Sequence, residues 1–247
     1  MIKSRSGSVT TMRVDNNPQN EQKEKFDKYV NFHRNVLMNV AVSIKTLEEL
    51  TKKSVGVDLF YKYSPAFSQT VIHNFWAQSV IELNECFNGE FCFRNLFNYV
   101  NANWNNIFTG EWLKTTNWND GEIEKETIIY EKEEIFQRIA EAKNILLQNE
   151  KVISKIKMFR DKVFAHRDKN YPTEELNLQE LREIFTVAER CFNAICSMYN
   201  LTHTCLEPVN SDDVYAIIKT VEIYHKYQKQ FWEFEEKETR EIFYGKE

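Results

Sequence analysis

The chain has 247 residues and a formal charge of −5, with 28% of its residues charged. That length holds one large domain or a compact domain with extensions, and the acidic balance excludes a surface basic all over for nucleic acid or anionic membrane. Glycine (6) and proline (4) are scarce, so turns are few and long helices are favoured over many short strands.

No apolar run approaches the length of a membrane-spanning helix, and the N-terminal MIKSRSGSVTTMRVDNNPQNEQ lacks the apolar core of a secretory signal. Cys86, Cys92, Cys191, Cys196 and Cys205 form an odd set without a CxxC pair. They read as buried, reduced thiols of a cytoplasmic protein. No zinc site, other metal or cofactor is expected.

Residues 1–20 are polar and read as a disordered arm, and 21–247 as a single helical domain. From Glu21 to about Lys53, apolar residues from Phe26 to Leu47 recur near a 3.6-residue period, predicting a long amphipathic helix. Ser64-Pro65 supplies a cap and a first-turn proline for a second helix running to about Phe87, which Asn88-Gly89 ends. Phe91–Phe108 predicts a third. Thr109–Glu122 holds the main turn chemistry and is expected to be a long loop. A charged helix follows to about Gln148, with Ile128, Ile135, Ile139, Ala142 and Leu146 on one side.

After a break at Asn149 comes a basic helix, expected to end at Asn170-Tyr171-Pro172. Leu178–Asn200 predicts the next helix. Ser211 is an N-cap for a last one spanning about 211–244. No strand-like alternation stands out. The expected fold is all-α: an antiparallel bundle with its core over about 65–200 and extra helices at both ends.

The basic stretch Lys151–Asn170, KVISKIKMFRDKVFAHRDKN, is where an acidic chain gathers cations around one histidine. On a helical wheel Val152, Ile156, Phe159 and Val163 form a narrow core seam. Arg160 lies roughly 70° to one side and His166 roughly 50° to the other, about 9 Å apart along the axis. An arginine reaches across that distance and a histidine does not. Arg167 returns to the side of Arg160, and Asp161 and Asp168 share the outer face.

One histidine and one or two arginines are thin for catalysis in a single chain, whereas a two-fold dimer doubles them. Such a set suits transfer at a phosphodiester. A histidine with a pKa near its ordinary value of about 6.5 exchanges protons at neutral pH. A guanidinium matches phosphate oxygens and stabilises charge in the transition state. RNA carries its own nucleophile, the 2′-hydroxyl, so that route needs no metal. The plainer reading of R-x5-H by itself is a solvated helix end, with His166 at the C-terminal dipole.

Arg160-Asp161-Lys162-Val163-Phe164-Ala165-His166-Arg167-Asp168, late in a helical chain, resembles the HEPN superfamily, most closely its abortive-infection branch, with a signature of the form R-[N/D]-K-x-x-A-H-x-D. The resemblance implies a metal-independent endoribonuclease with a composite site at a homodimer interface, in a toxin–antitoxin or phage-defence setting. It makes Arg160, His166 and Asp161 the catalytic residues. Lys157, Lys162, Arg167 and Lys169 would hold RNA around them. RNA, a second copy of the chain and a cognate antitoxin protein are the partners it points to. The superfamily also holds non-catalytic members, so an RNA- or nucleotide-binding protein, or a helical interaction module, is the alternative.

Trp112 and Trp118, in the expected loop, are candidates to stack on a base or a partner. Trp76 reads as core, and Trp104 stands near asparagines. His33 and His73 read as packing residues, and His203 and His225 have no partner in sequence.

Overall fold

The computed structural model describes residues 7–13, 21–108, 112–118, 123–161, 176–200 and 212–244. Among these residues the order is β1 (Gly7–Arg13), α1 (Glu21–Thr51), α2 (Val55–Tyr63), α3 (Pro65–Asn88), α4 (Phe93–Ile107), β2 (Trp112–Trp118), β3 (Ile123–Ile128), α5 (Lys132–Gln148), α6 (Glu150–Phe159), α7 (Leu178–Asn200) and α8 (Asp212–Tyr244). The fold is an all-α helical bundle that carries one small antiparallel sheet of order β1-β2-β3.

That sheet is the main departure from the sequence reading. The arm expected over 1–20 contains β1, which pairs with β2 from Gly7↔Trp118 to Arg13↔Trp112. The loop expected over Thr109–Glu122 contains β2, itself paired with β3 from Trp112↔Ile128 to Asn117↔Ile123. Ile128, assigned to a helix by its period, therefore ends a strand. Threonines give these segments their polar look, yet β-branched residues suit an extended backbone. The sequence Asn119-Asp120-Gly121 between β2 and β3 is hairpin-turn chemistry.

Backbone contacts divide the chain into two compact units, Met1–Ala41 with Ala77–Glu207 and Val42–Trp76 with Pro208–Glu247. The first unit packs α5 on α7 and α4, and α6 on α7. Its interior is aromatic and aliphatic: Phe26, Phe93, Phe97, Phe108, Leu181 and Phe192 are fully buried. Burying each such side chain contributes about 2–3 kcal/mol against the entropy of ordering the chain.

The second unit rests on a smaller cluster, Leu50, Val57, Phe60 and Ile218, joined by Tyr61, Val71, Ile72 and Val214. Its helix α2 was not expected. Ser54 starts it by accepting a hydrogen bond from the Val57 N–H at 3.2 Å, a standard N-cap. Within it Gly56 sits against α8. Its N–H donates to Glu222 Oε1 at 2.9 Å, and a Cβ there would stand 2.5 Å from the Ile218 Cγ2. Among the described residues no helix is long and apolar enough to cross a membrane.

Candidate functional site

The basic helix expected after Asn149 begins as α6, and of its expected seam Ile156 and Phe159 are buried, Val152 is half-buried and Val163 lies outside the described residues. Arg160 follows as a partly exposed residue on the edge of that seam. The backbone turns π-helical at Arg160 and Asp161, a local widening that is frequent at functional positions.

The guanidinium of Arg160 is held from two elements. Asp161 Oδ1 lies 2.8 Å from Nη1, and Glu85 Oε1 of α3 lies 4.0 Å from Nη2. The side-chain amide of Asn84, fully buried in α3, faces Nε and Nη2 at 3.0 Å each. Both of those nitrogens are donors, so the amide must present its oxygen to them, and Arg160 then donates twice to Asn84 Oδ1. The other end of that amide meets the side-chain amide of Asn88 at 3.0 Å.

Half-exposed ion pairs of this kind contribute about 0–1 kcal/mol each, so their effect here is on position rather than stability. Fixing a planar fork in advance lowers the entropy lost when an oxyanion binds it. One Nη1 N–H retains no acceptor among the described residues, and the Asp161 carboxylate is the group a phosphate would have to displace from the fork.

Helix α6 is itself braced. Lys155 Nζ sits 2.6 Å from Glu180 Oε1 on α7. Glu180 also closes a capping box: Asn177 Oδ1 accepts from the Glu180 N–H at 2.9 Å, and Glu180 Oε2 accepts from the Asn177 N–H at 3.0 Å. The Lys155 hydrogen bond, then that of the Asn177 backbone, holds the Glu180 carboxyl below the ordinary range.

Of the residues singled out by sequence, Arg160, Asp161 and Lys157 are described, and the first two are in direct contact. Lys157 is exposed one turn before Arg160 on α6. His166, Lys162, Arg167 and Lys169 lie outside the described residues, as do His203 and Cys205. Asn84, Glu85 and Asn88 were missed. Their signal was faint: a lone amide among Ile81, Leu83 and Cys86, flanked by Glu82 and Glu85.

Trp112 and Trp118 belong to β2, not to a loop. Trp76 is partly buried, and Trp104 packs edge-on against Phe136 with Lys132 above its ring at 5.9 Å. His33 is core, as expected, whereas His73 is exposed on α3. His225 does have a partner: its Nδ1 lies 2.7 Å from the Tyr63 hydroxyl. Cys86, Cys92, Cys191 and Cys196 are buried, and burial raises the Cys191 thiol to about 12, so it stays protonated at neutral pH.

The HEPN_AbiU2 family model, described as AbiU2, matches residues 111–217. Over that segment the chain is similar to the HEPN superfamily, in its abortive-infection branch. The matched segment includes β2, β3, α5, α6 and α7, and with them Arg160, Asp161 and the sequence position of His166. The comparisons with curated proteins and with solved structures returned no match.

Proposed function

We propose that this HEPN-like segment is an endoribonuclease that works as a homodimer, in a toxin or phage-defence role. The observation that carries the reading is the preset guanidinium of Arg160, held on the seam edge of α6 within the matched segment. In the reaction, His166 takes the proton of a 2′-hydroxyl, and the 2′-oxygen attacks the adjacent phosphorus. The bond from phosphorus to the 5′-oxygen breaks, and that oxygen receives a proton from the His166 of the second copy. Arg160 binds the phosphate and offsets the charge that grows on its oxygens. Asp161 sets the angle of the fork. Lys157, Lys162, Arg167 and Lys169 hold the strand by its phosphates. No metal takes part in this route, and the products are a 2′,3′-cyclic phosphate and a 5′-hydroxyl.

The test is RNA cleavage by the full chain in the presence of a chelator. The parent protein cuts, His166→Ala cuts at least 100-fold more slowly, in line with loss of general acid–base catalysis, and expression of the parent alone arrests growth. Equal cleavage by His166→Ala at equal folding would sink the assignment.

A second reading draws on the same fork. Asp161, Glu85 and Asn84 occupy most of its donors, which favours an arginine that joins α3 to α6 in a protein that binds RNA without cutting it. That protein binds RNA in a salt-dependent way, shows no turnover, and is harmless on expression.

A further inference from the structure

Beside the Arg160 centre, α3, α4, α5 and α6 line a cleft of about 530 Å³. Its floor is apolar, with Phe87 buried and Leu146 and Ile153 half-buried. Three cations, Arg94 of α4, Lys143 of α5 and Lys157 of α6, stand around it against a single carboxylate, Glu150. That local excess contrasts with the net charge of −5 for the whole chain.

Lys143 is engaged, its Nζ donating to Asn98 Oδ1 at 3.1 Å. The side chains of Arg94 and Lys157 are exposed and make no hydrogen bond or ion pair with another described residue. Two features connect the cleft to Arg160. Asn88, which lines it, meets Asn84, the residue that receives Arg160. Lys157 lines it one helical turn before Arg160 on α6.

We propose that this cleft is a nucleotide subsite for single-stranded RNA, taking the unit next to the phosphate at Arg160. The inference rests on the reading of that centre as an RNA site, and goes beyond it by naming where the neighbouring base goes. The base lies on the apolar floor, where a π-face is accepted whatever its sequence. The amides of Asn88 and Asn98 stand at its edge, and Arg94 and Lys157 take the flanking phosphates. A volume of this size is ordinary for a small-molecule site, about 300–1,000 Å³, and admits one splayed base. A base held inside a duplex cannot be presented to such a floor, so single strands are selected.

The experiment is fluorescence anisotropy on the full chain with a labelled 2′-O-methyl oligoribonucleotide, which binds but cannot be cut. Arg94 is exposed, so its replacement leaves the core untouched. Arg94→Glu is expected to weaken binding about tenfold or more, and Arg94→Ala to reduce the slope of log K against log salt by about one. A duplex of the same sequence should bind less tightly than the single strand.

If the parent protein binds no RNA, the functional reading falls and takes the subsite with it. If the parent binds and Arg94→Glu binds equally well with an unchanged salt slope, the subsite alone is overturned. A free nucleoside monophosphate provides the remaining arm. Competition with the oligoribonucleotide supports the strand assignment; binding that depends on Arg94 yet leaves the RNA in place overturns it in favour of a free nucleotide.

Discussion

Helices α7 and α8 are both long and both rich in apolar residues at helical spacing, yet they are covered very differently. Helix α7 buries Leu181, Ile184, Ala188, Cys191, Phe192, Ile195 and Met198, and keeps its charges other than Glu180 away from that face. Among the side chains of α8 that the structure describes, only Ile218 is buried, while Ile217, Tyr224, Tyr227, Phe231 and Phe234 are each at least half exposed. Those five follow a spacing of seven, ten, fourteen and seventeen from the first, a stripe turned away from Ile218. Hydrophobic periodicity therefore reports that a segment is helical and amphipathic, but not which of its apolar faces the rest of the chain covers.

The difference is open to direct measurement. Phe192→Ala empties a fully buried site in α7 and should cost about 3–5 kcal/mol of unfolding free energy in a denaturant titration. A loss as small as that of a surface residue would show that the core around α7 is not the stable one.

The same core should respond to acid through His33, which is fully buried, stacked on Phe93 at 4.1 Å and 6.5 Å from Phe192. The Phe91 backbone lies near the ring, but the geometry falls short of a hydrogen bond and both nitrogens are unsatisfied. Burial lowers its pKa from 6.5 to about 3. Because the folded value lies below the unfolded one, the unfolded chain binds the extra proton between those two pH values. Stability is then full above about pH 6.5 and falls by about 1.4 kcal/mol for each pH unit towards pH 3. Between pH 6.5 and 5 the loss is about 2 kcal/mol, and His33→Leu should remove that slope. If the slope persists unchanged in the variant, another group causes it.

The smallest effect belongs to α8. Phe231→Ala removes a ring that is already in solvent and should change stability by no more than about 0.5 kcal/mol. A loss comparable to that of Phe192→Ala would mean that the stripe is buried in the protein as it exists in solution, and the contrast would disappear.

Much of the helical frame was legible. The ends of α1, α3, α7 and α8 fall within about two residues of those read from period, caps and prolines, because each has a long apolar repeat and clear punctuation. Helix α2 was missed since nine residues with an internal glycine give too little period to count. The strands were missed because Thr, Asn and Lys in GSVTTMR and WLKTTNW look like a loop unless the pairing partner is known, and β1 finds its partner about a hundred residues away. At the site, the wheel puts Arg160 at the seam edge, and the structure finds it partly exposed, one residue after the buried Phe159. It could not supply Asn84 or Glu85, which lie about 75 residues upstream and meet Arg160 only in the folded chain. His166 lies outside the described residues, so its expected place opposite Arg160 is untested by them.

The pairing of β1 with β2 also sets an order of events during synthesis. Gly7 leaves the ribosome long before Trp118, its partner, has been made. At about 5–20 residues per second the first strand waits on the order of ten seconds for β2, and longer for α7, which it also lies against. Closing so long a loop is slow and comes late. The first strand of the chain is thus among the last to be seated, and when it arrives it covers the edge of β2 that β3 leaves open.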